Sequence, residues 1–130
     1  MNELLVFSEL HKFLNSLGPM NCTIAPKSLS IGYKPFTFWG KTSKFATLYG
    51  DKRYQCLILH VEPFNPESTK GKELQKEIQK IVGFEISEMR NFKLKNHEVY
   101  IPLELMRKEE NLKIVKHFTE EQYKRITTEK

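Results

Sequence analysis

The sequence predicts an α+β domain in which a curved antiparallel sheet of about five to six strands carries an N-terminal, a middle and a C-terminal helix. Three observations support this. An apolar stripe at helical spacing opens the chain, alternating strand-like segments separated by turn residues follow, and two more helical patterns come later. Because 130 residues suffice for one hydrophobic core, we expect a single domain over residues 1–130.

The first helix is predicted over residues 3–17. Its apolar side chains recur at the three- and four-residue spacing that places them on one helix face: Val6, Leu10, Phe13, Leu14 and Leu17. Gly18 is suited to the left-handed backbone conformation that ends a helix, and Pro19 cannot continue one. The Gly-Pro pair therefore predicts the helix end.

An antiparallel meander is predicted next. Turn-forming residues separate its four strand candidates, which are Cys22–Pro26, Ser28–Lys34, Phe45–Tyr49 and Arg53–Glu62. In the second candidate, alternation directs Leu29, Ile31 and Tyr33 towards the core. Gly50 and Asp51 favour a tight connection between the last two strands.

A middle helix is predicted from Thr69 to Val82, ending at Gly83. Its apolar face is expected to contain Leu74, Ile78, Ile81 and Val82. Lysines recur every fourth residue on the other face, at Lys72, Lys76 and Lys80. Two further strands are predicted over Phe84–Ser87 and Glu98–Leu105.

The C-terminal helix is predicted to begin near Glu109 and to pack Leu112, Val115 and Phe118 against the core. The segment 119–122 has a capping-box pattern, which predicts a break there. Residues 119–130 are thus expected to form a separate short helix or a frayed tail.

The composition is that of a mildly basic globular protein, with 39% hydrophobic residues and a net charge of +5. Apolar runs are too short to span a membrane, and Glu3 stands where a signal peptide has basic residues. We therefore expect a cytoplasmic location and no membrane partner. Cys22 and Cys56 are expected to be small buried thiols, with a disulfide between them as the alternative.

Residue patterns of familiar enzymes are missing. A metal-dependent nuclease needs clustered carboxylates, whereas Asp51 is the single aspartate, and neither a Gly-x-Ser-x-Gly elbow nor a phosphate-binding glycine loop occurs. The four histidines occur singly, at His11, His60, His97 and His117, so no metal site is expected. The chain is expected to be non-catalytic and without a cofactor, and an enzyme of unrecognised type is the weaker alternative.

Basic and aromatic residues that occur together indicate binding of nucleic acid, since lysine and arginine attract phosphates and exposed aromatic rings stack on bases. The predicted nucleic-acid-binding residues lie in two segments and are Tyr33, Lys34, Trp39, Lys41, Lys44, Arg90, Lys93 and Lys95. Two other readings stay open for Phe36, Phe38 and Trp39. They either belong to the core or form an exposed patch that binds a protein partner or a second copy of the chain.

Much of the chain resembles an uncharacterised bacterial domain family labelled "predicted transport protein". The resemblance depends on the first helix with Leu17-Gly18-Pro19, on Lys27–Lys34, on Lys44-Phe45-Ala46, on Arg53–Val61 and on Val99–Leu103. Members of that family stand alone or are fused to restriction-endonuclease-like modules, which implies a role linked to restriction or defence. The segment 86–92 differs from the Gly-His-Trp-Gly-like stretch usual in the family.

Overall fold

The computed structural model describes residues 2–36, 43–51, 55–62, 67, 69–85 and 97–128. These residues form three α-helices, one five-stranded antiparallel sheet and a short 3-10 helix. The predicted α+β class with an N-terminal, a middle and a C-terminal helix is confirmed.

The elements follow the predicted order closely. The helices are α1 (Glu3–Ser16), α2 (Lys70–Val82) and α3 (Glu109–Thr128). The strands are β1 (Met20–Ala25), β2 (Ser30–Pro35), β3 (Ala46–Tyr49), β4 (Cys56–His60) and β5 (Glu98–Pro102). They lie in the sheet in chain order, each antiparallel to the next, and α2 is inserted between β4 and β5.

The strand register assigns alternate residues to two faces, because residues directly opposite each other in an antiparallel pair share a face. The face packed against the helices, called here the helix-side face, carries Ile31, Tyr33, Ala46, Leu48, Leu57, Leu59, Val99 and Ile101. The opposite face, called here the far face, carries Gly32, Lys34, Thr47, Ile58, His60, Glu98 and Tyr100.

The core lies between the helix-side face and one stripe of each helix. It includes Val6, Leu10 and Leu14 from α1, Leu74 and Ile78 from α2, and Leu112, Val115 and Phe118 from α3. Phe13 and Leu17, predicted on the α1 stripe, are only partly buried. The helical spacing therefore predicted the centre of each buried stripe, while its margins contact solvent.

Gly18 does not take the predicted left-handed conformation, because Gly83 is the only glycine with a positive φ among the described residues. Helix α1 ends at Ser16, and Leu17, which caps it, has a right-handed conformation. A side chain at Gly18 would overlap the hydroxyl of Tyr123, which lies directly over this position. The glycine is thus needed for close packing between the end of α1 and α3.

Leu29 is a correction to the predicted alternation. It lies in the turn before β2 with a φ of 50° and is 57% exposed, so it does not point into the core. A leucine in the left-handed region costs about 1–2 kcal/mol relative to an ordinary backbone conformation.

Several predicted elements differ locally from the structure. Phe84 and Glu85 are not in a strand, and 86–87 lie outside the described residues. Strand β5 ends at Pro102, where the 3-10 helix Leu103–Arg107 begins. Ile81, expected on the buried face of α2, is about half exposed.

The predicted break at 119–122 is wrong, since α3 continues to Thr128. Thr119 and Gln122, the first and last residues of the capping-box pattern, are buried on the continuing helix. Tyr123 beyond them packs edge-to-face on Phe45, with ring centroids 5.6 Å apart. Burial of this second half of the helix outweighs the local capping signal.

The two edges of the sheet differ. The amide of Gln75, from α2, donates to the carbonyl oxygen of Tyr100 at 3.0 Å and accepts from its N–H at 2.6 Å, so it covers the backbone of β5 as a neighbouring strand would. Strand β1 forms the other edge, and five of its six residues are exposed.

Candidate functional site

Tyr33 is fully buried on the helix-side face, so its inclusion in the nucleic-acid-binding surface is wrong. Its hydroxyl forms a 2.8 Å hydrogen bond with Nδ1 of His11, on α1. Burial raises the pKa of this hydroxyl well above its usual value. The alternation that placed Tyr33 inward describes it correctly, and the ring is not accessible for stacking on a base.

Lys34 and Lys44 are exposed, as the binding prediction requires. The other predicted contacts lie outside the described residues: Trp39, Lys41, Arg90, Lys93 and Lys95. Phe36 is described and is 61% exposed, which favours a surface over a core position for this residue, whereas Phe38 and Trp39 are not described.

The two lysines lie near the same end of the far face. Lys34 lies two residues after Gly32 on β2 and therefore shares its face. A Cβ at Gly32 would lie 2.9 Å from Cε of Lys44, so the glycine leaves room for the lysine stem to cross the sheet. The directly opposite residue on β3 is Thr47.

Beside the lysines, three polar side chains follow one another in a row across the far face. Oγ1 of Thr47 is 2.9 Å from Nε2 of His60, and Nδ1 of His60 is 3.4 Å from Oε2 of Glu98. The side chains of His60 and Glu98 are only 14% and 11% exposed. The ring of His97 lies next to that of His60, with centroids 6.4 Å apart.

The order hydroxyl, imidazole, carboxylate is also that of a nucleophile, its base and the group that orients the base. Thr47, however, is only 4% exposed, so a substrate carbonyl cannot reach its hydroxyl in this conformation. Cys56 is no better as a nucleophile, since burial, followed by the charge of Glu98, raises the pKa of its thiol and disfavours the thiolate. The row is therefore better suited to holding a ligand than to attacking one.

The inference that the four histidines lie singly is wrong for His60 and His97. His60 lies directly opposite Glu98 in the β4–β5 register, and His97 immediately precedes Glu98. The sequence did contain one usable signal, the His-Glu pair at the start of a predicted strand. The meeting with His60 depends on a strand pairing that the alternation pattern does not specify.

A second feature lies on the helix side of the β1 edge. A recess of about 520 Å³ is formed between the start of α1 and the β1–β2 turn, with an apolar lining that includes Leu4, Phe7, Ile24, Leu29 and Ile31. Ile24 and Leu29 are mostly exposed. Large exposed apolar side chains that cluster in one place are typical of interaction surfaces.

The two cysteines differ in their exposure to solvent. Both are free thiols, so the disulfide alternative does not apply. Cys56 is buried, as expected, but Cys22 is exposed on β1, where its Sγ lies 3.3 Å from Oδ1 of Asn15.

Comparison with protein-family models, curated proteins and solved structures finds no match to this chain. Within the described ranges, no helix has the length and apolar character needed to cross a bilayer. The family resemblance stays a prediction.

Proposed function

We propose that this chain is an interaction module that forms a homodimer through β1 and the recess beside it. The observation that carries the proposal is the difference between the two sheet edges. The amide of Gln75 occupies the edge at β5, whereas β1 is exposed and, among the described residues, pairs only with β2. An exposed edge strand is a template for pairing with another strand.

The sequence of β1 supports self-pairing. Natural edge strands are usually protected by lysine, proline or inward-pointing charges, and the segment Met20–Ala25 contains none of these. Two copies related by a two-fold axis would pair β1 antiparallel to its own equivalent. No like charges from β1 would then oppose each other, although each chain has a net charge of +5.

The recess supplies the apolar part of such a contact. Ile24 is 69% exposed on β1, and Leu29 projects from the adjoining turn despite its unfavourable backbone conformation. Strand pairing provides directional hydrogen bonds, and burial of these side chains adds about 25 cal/mol per Å² of apolar surface. At the other end of β1, the exposed Phe36 follows β2, and its N–H donates to the carbonyl oxygen of Pro19 at 3.1 Å.

The test is the oligomeric state of the purified chain by light scattering and sedimentation, compared between two variants. Ile24→Lys places a charge on β1 and is expected to give a monomer. Ile81→Lys, on α2, is the matched control because Ile81 is also a partly exposed isoleucine, and it should stay dimeric. A wild-type chain that is monomeric at every concentration, or a dimer unaffected by Ile24→Lys, contradicts the proposal.

Nucleic-acid binding through the far face is the second candidate function. Lys34 and Lys44 favour it because they are exposed at the same end of one sheet face, in a basic chain. The resemblance to restriction-associated modules adds support by analogy. If each lysine contacts one phosphate of duplex DNA, each contributes about −0.9 to the slope of log affinity against log salt.

The corresponding experiment measures oligonucleotide binding as a function of salt. The double variant Lys34→Ala/Lys44→Ala should reduce the slope by about 2. Lys76→Ala/Lys80→Ala removes the same charge from exposed positions on α2 and should leave the slope close to that of the wild type. Equal losses in both double variants indicate non-specific attraction and contradict a far-face site, as does the absence of binding.

A further inference from the structure

We infer that His60, His97 and Glu98 form a binding site for a divalent transition-metal ion of the zinc type. One potential ligand atom from each side chain lies within 4.8 Å of the other two. In the part of the chain that the structure describes, no other histidine, cysteine, aspartate or glutamate joins this group. The inference is independent of dimerisation, because His60 lies on β4, Glu98 on β5 and His97 directly before β5, away from β1.

The separation of His60 and Glu98 fits two ligands of one ion better than a direct ion pair. A charge-assisted N–H···O⁻ bond is about 2.7–2.9 Å long, whereas Nδ1 of His60 is 3.4 Å from Oε2 of Glu98. Two ligands bound at about 2.0–2.1 Å to a tetrahedral zinc ion lie about 3.3–3.4 Å apart. The observed distance matches that edge of the tetrahedron.

The other nitrogen of His60 has the partner that a metal-bound histidine needs. A ligating imidazole typically donates its second N–H to an oxygen, which fixes the tautomer and the ring orientation. Nε2 of His60 lies 2.9 Å from Oγ1 of Thr47, a residue buried in the centre of the sheet. Nδ1, the other ring nitrogen of His60, faces the carboxylate of Glu98.

The backbone around the three ligands is held from both sides. The N–H of Val61 donates to the carbonyl oxygen of His97 at 2.8 Å, which extends the β4–β5 pairing past His60. The carbonyl oxygen of Val61 accepts from Nη2 of Arg125, on α3, at 3.1 Å. The third ligand, His97, is half-buried, and its ring centroid lies 6.4 Å from that of His60.

The ligand set indicates which ions the site would select. Two imidazoles and one carboxylate suit zinc and its neighbours in the first transition row, whereas magnesium and calcium prefer oxygen ligands alone. Three protein ligands are also the number found in zinc sites that bind water or a solute at the fourth position. A phosphate or carboxylate oxygen from solution is the class of group that such a position accepts.

The experiment titrates Zn²⁺ into the full chain after treatment with a chelator, followed by calorimetry, and repeats the titration with Co²⁺, whose visible spectrum reports tetrahedral coordination. One ion per chain is expected, with no competition from excess Mg²⁺. His97→Ala should weaken binding by more than about 100-fold, because it removes a ligand. Thr47→Val should weaken it by about 10–100-fold, as expected for loss of a partner that orients a ligand.

His117→Ala is the matched control. His117 forms an exposed pair with Glu121 one turn later on α3, and no third ligand joins them among the residues that the structure describes. Circular dichroism and the melting temperature of the metal-free variants show whether each has folded. The inference is wrong if the wild type binds no more tightly than His97→Ala, or if His117→Ala causes an equal loss.

Discussion

Replacing Gly18 by alanine tests whether close packing explains the glycine after α1. The added methyl group would overlap the hydroxyl oxygen of Tyr123 and lie 3.2 Å from its Cζ. Tyr123 must therefore move away, and it packs edge-to-face on Phe45 with an angle of 80° between the rings. Overpacking of this kind costs about 1–3 kcal/mol, and loss of the aromatic pair costs about 0.5–1.5 kcal/mol more.

We therefore expect Gly18→Ala to lower the free energy of unfolding by about 1.5–4.5 kcal/mol, measured by urea denaturation with circular dichroism. Tyr123→Phe removes the overlapping oxygen but keeps the ring. The double variant Gly18→Ala/Tyr123→Phe should consequently be more stable than Gly18→Ala alone, with a coupling energy of about 1–3 kcal/mol.

Tyr100→Phe is the control for this double-mutant cycle, because Tyr100 lies on the far face of the sheet and the atoms nearest to an added Cβ at Gly18 all belong to Tyr123. Its effect and that of Gly18→Ala should add to within about 0.5 kcal/mol. If the effects of Gly18→Ala and Tyr123→Phe on the free energy of unfolding are additive, the packing explanation is refuted. The backbone conformation at Gly18 would then be the reason for the glycine.

Four further outcomes are expected. Leu14→Ala should lower the free energy of unfolding by about 2–5 kcal/mol because Leu14 is fully buried, while Leu4→Ala, at a position 77% exposed, should change it by less than about 0.5 kcal/mol. Gln75→Ala should cost about 1–3 kcal/mol in the same denaturation assay, since both backbone groups of Tyr100 lose their partner. Gly83→Ala should cost about 1–2 kcal/mol through its left-handed backbone alone, because nothing lies within 4 Å of an added Cβ. Burial raises the pKa of Tyr100 from 10.0 to about 12. The stability gained by keeping this hydroxyl protonated in the folded state is therefore complete below pH 10 and is lost as the pH rises towards 12. Ultraviolet titration and unfolding at matched pH measure this loss.

The helices and the meander could be predicted because both depend on local patterns. The stripe of Val6, Leu10 and Leu14 specifies a helix face whatever it packs against, and Gly83 ends α2 as its residue type predicts. The false break at Thr119 shows where local reasoning fails. The capping pattern is real in the sequence, but burial of the same turn against the core decides the conformation.

The candidate sites could be predicted from the sequence less well than the helices and strands. Exposure of Lys34 follows from the alternation along β2, whereas the meeting of His60 with His97 requires the pairing of strands separated by the whole of α2. Neither the hydrophobic periodicity of the sequence nor its composition specifies that strand register. A histidine pair built by strand pairing is therefore invisible to a search for closely spaced metal ligands.

The covered edge at β5 also limits how many copies can assemble. A head-to-tail contact would join β1 of one chain to β5 of the next and could repeat without end, which is how fibres grow. The side chain of Gln75 already occupies the hydrogen-bonding groups of Tyr100 that such a contact would use. In the dimer that we propose, pairing of β1 with β1 would use both remaining edges at once, so assembly by strand addition would stop at two chains.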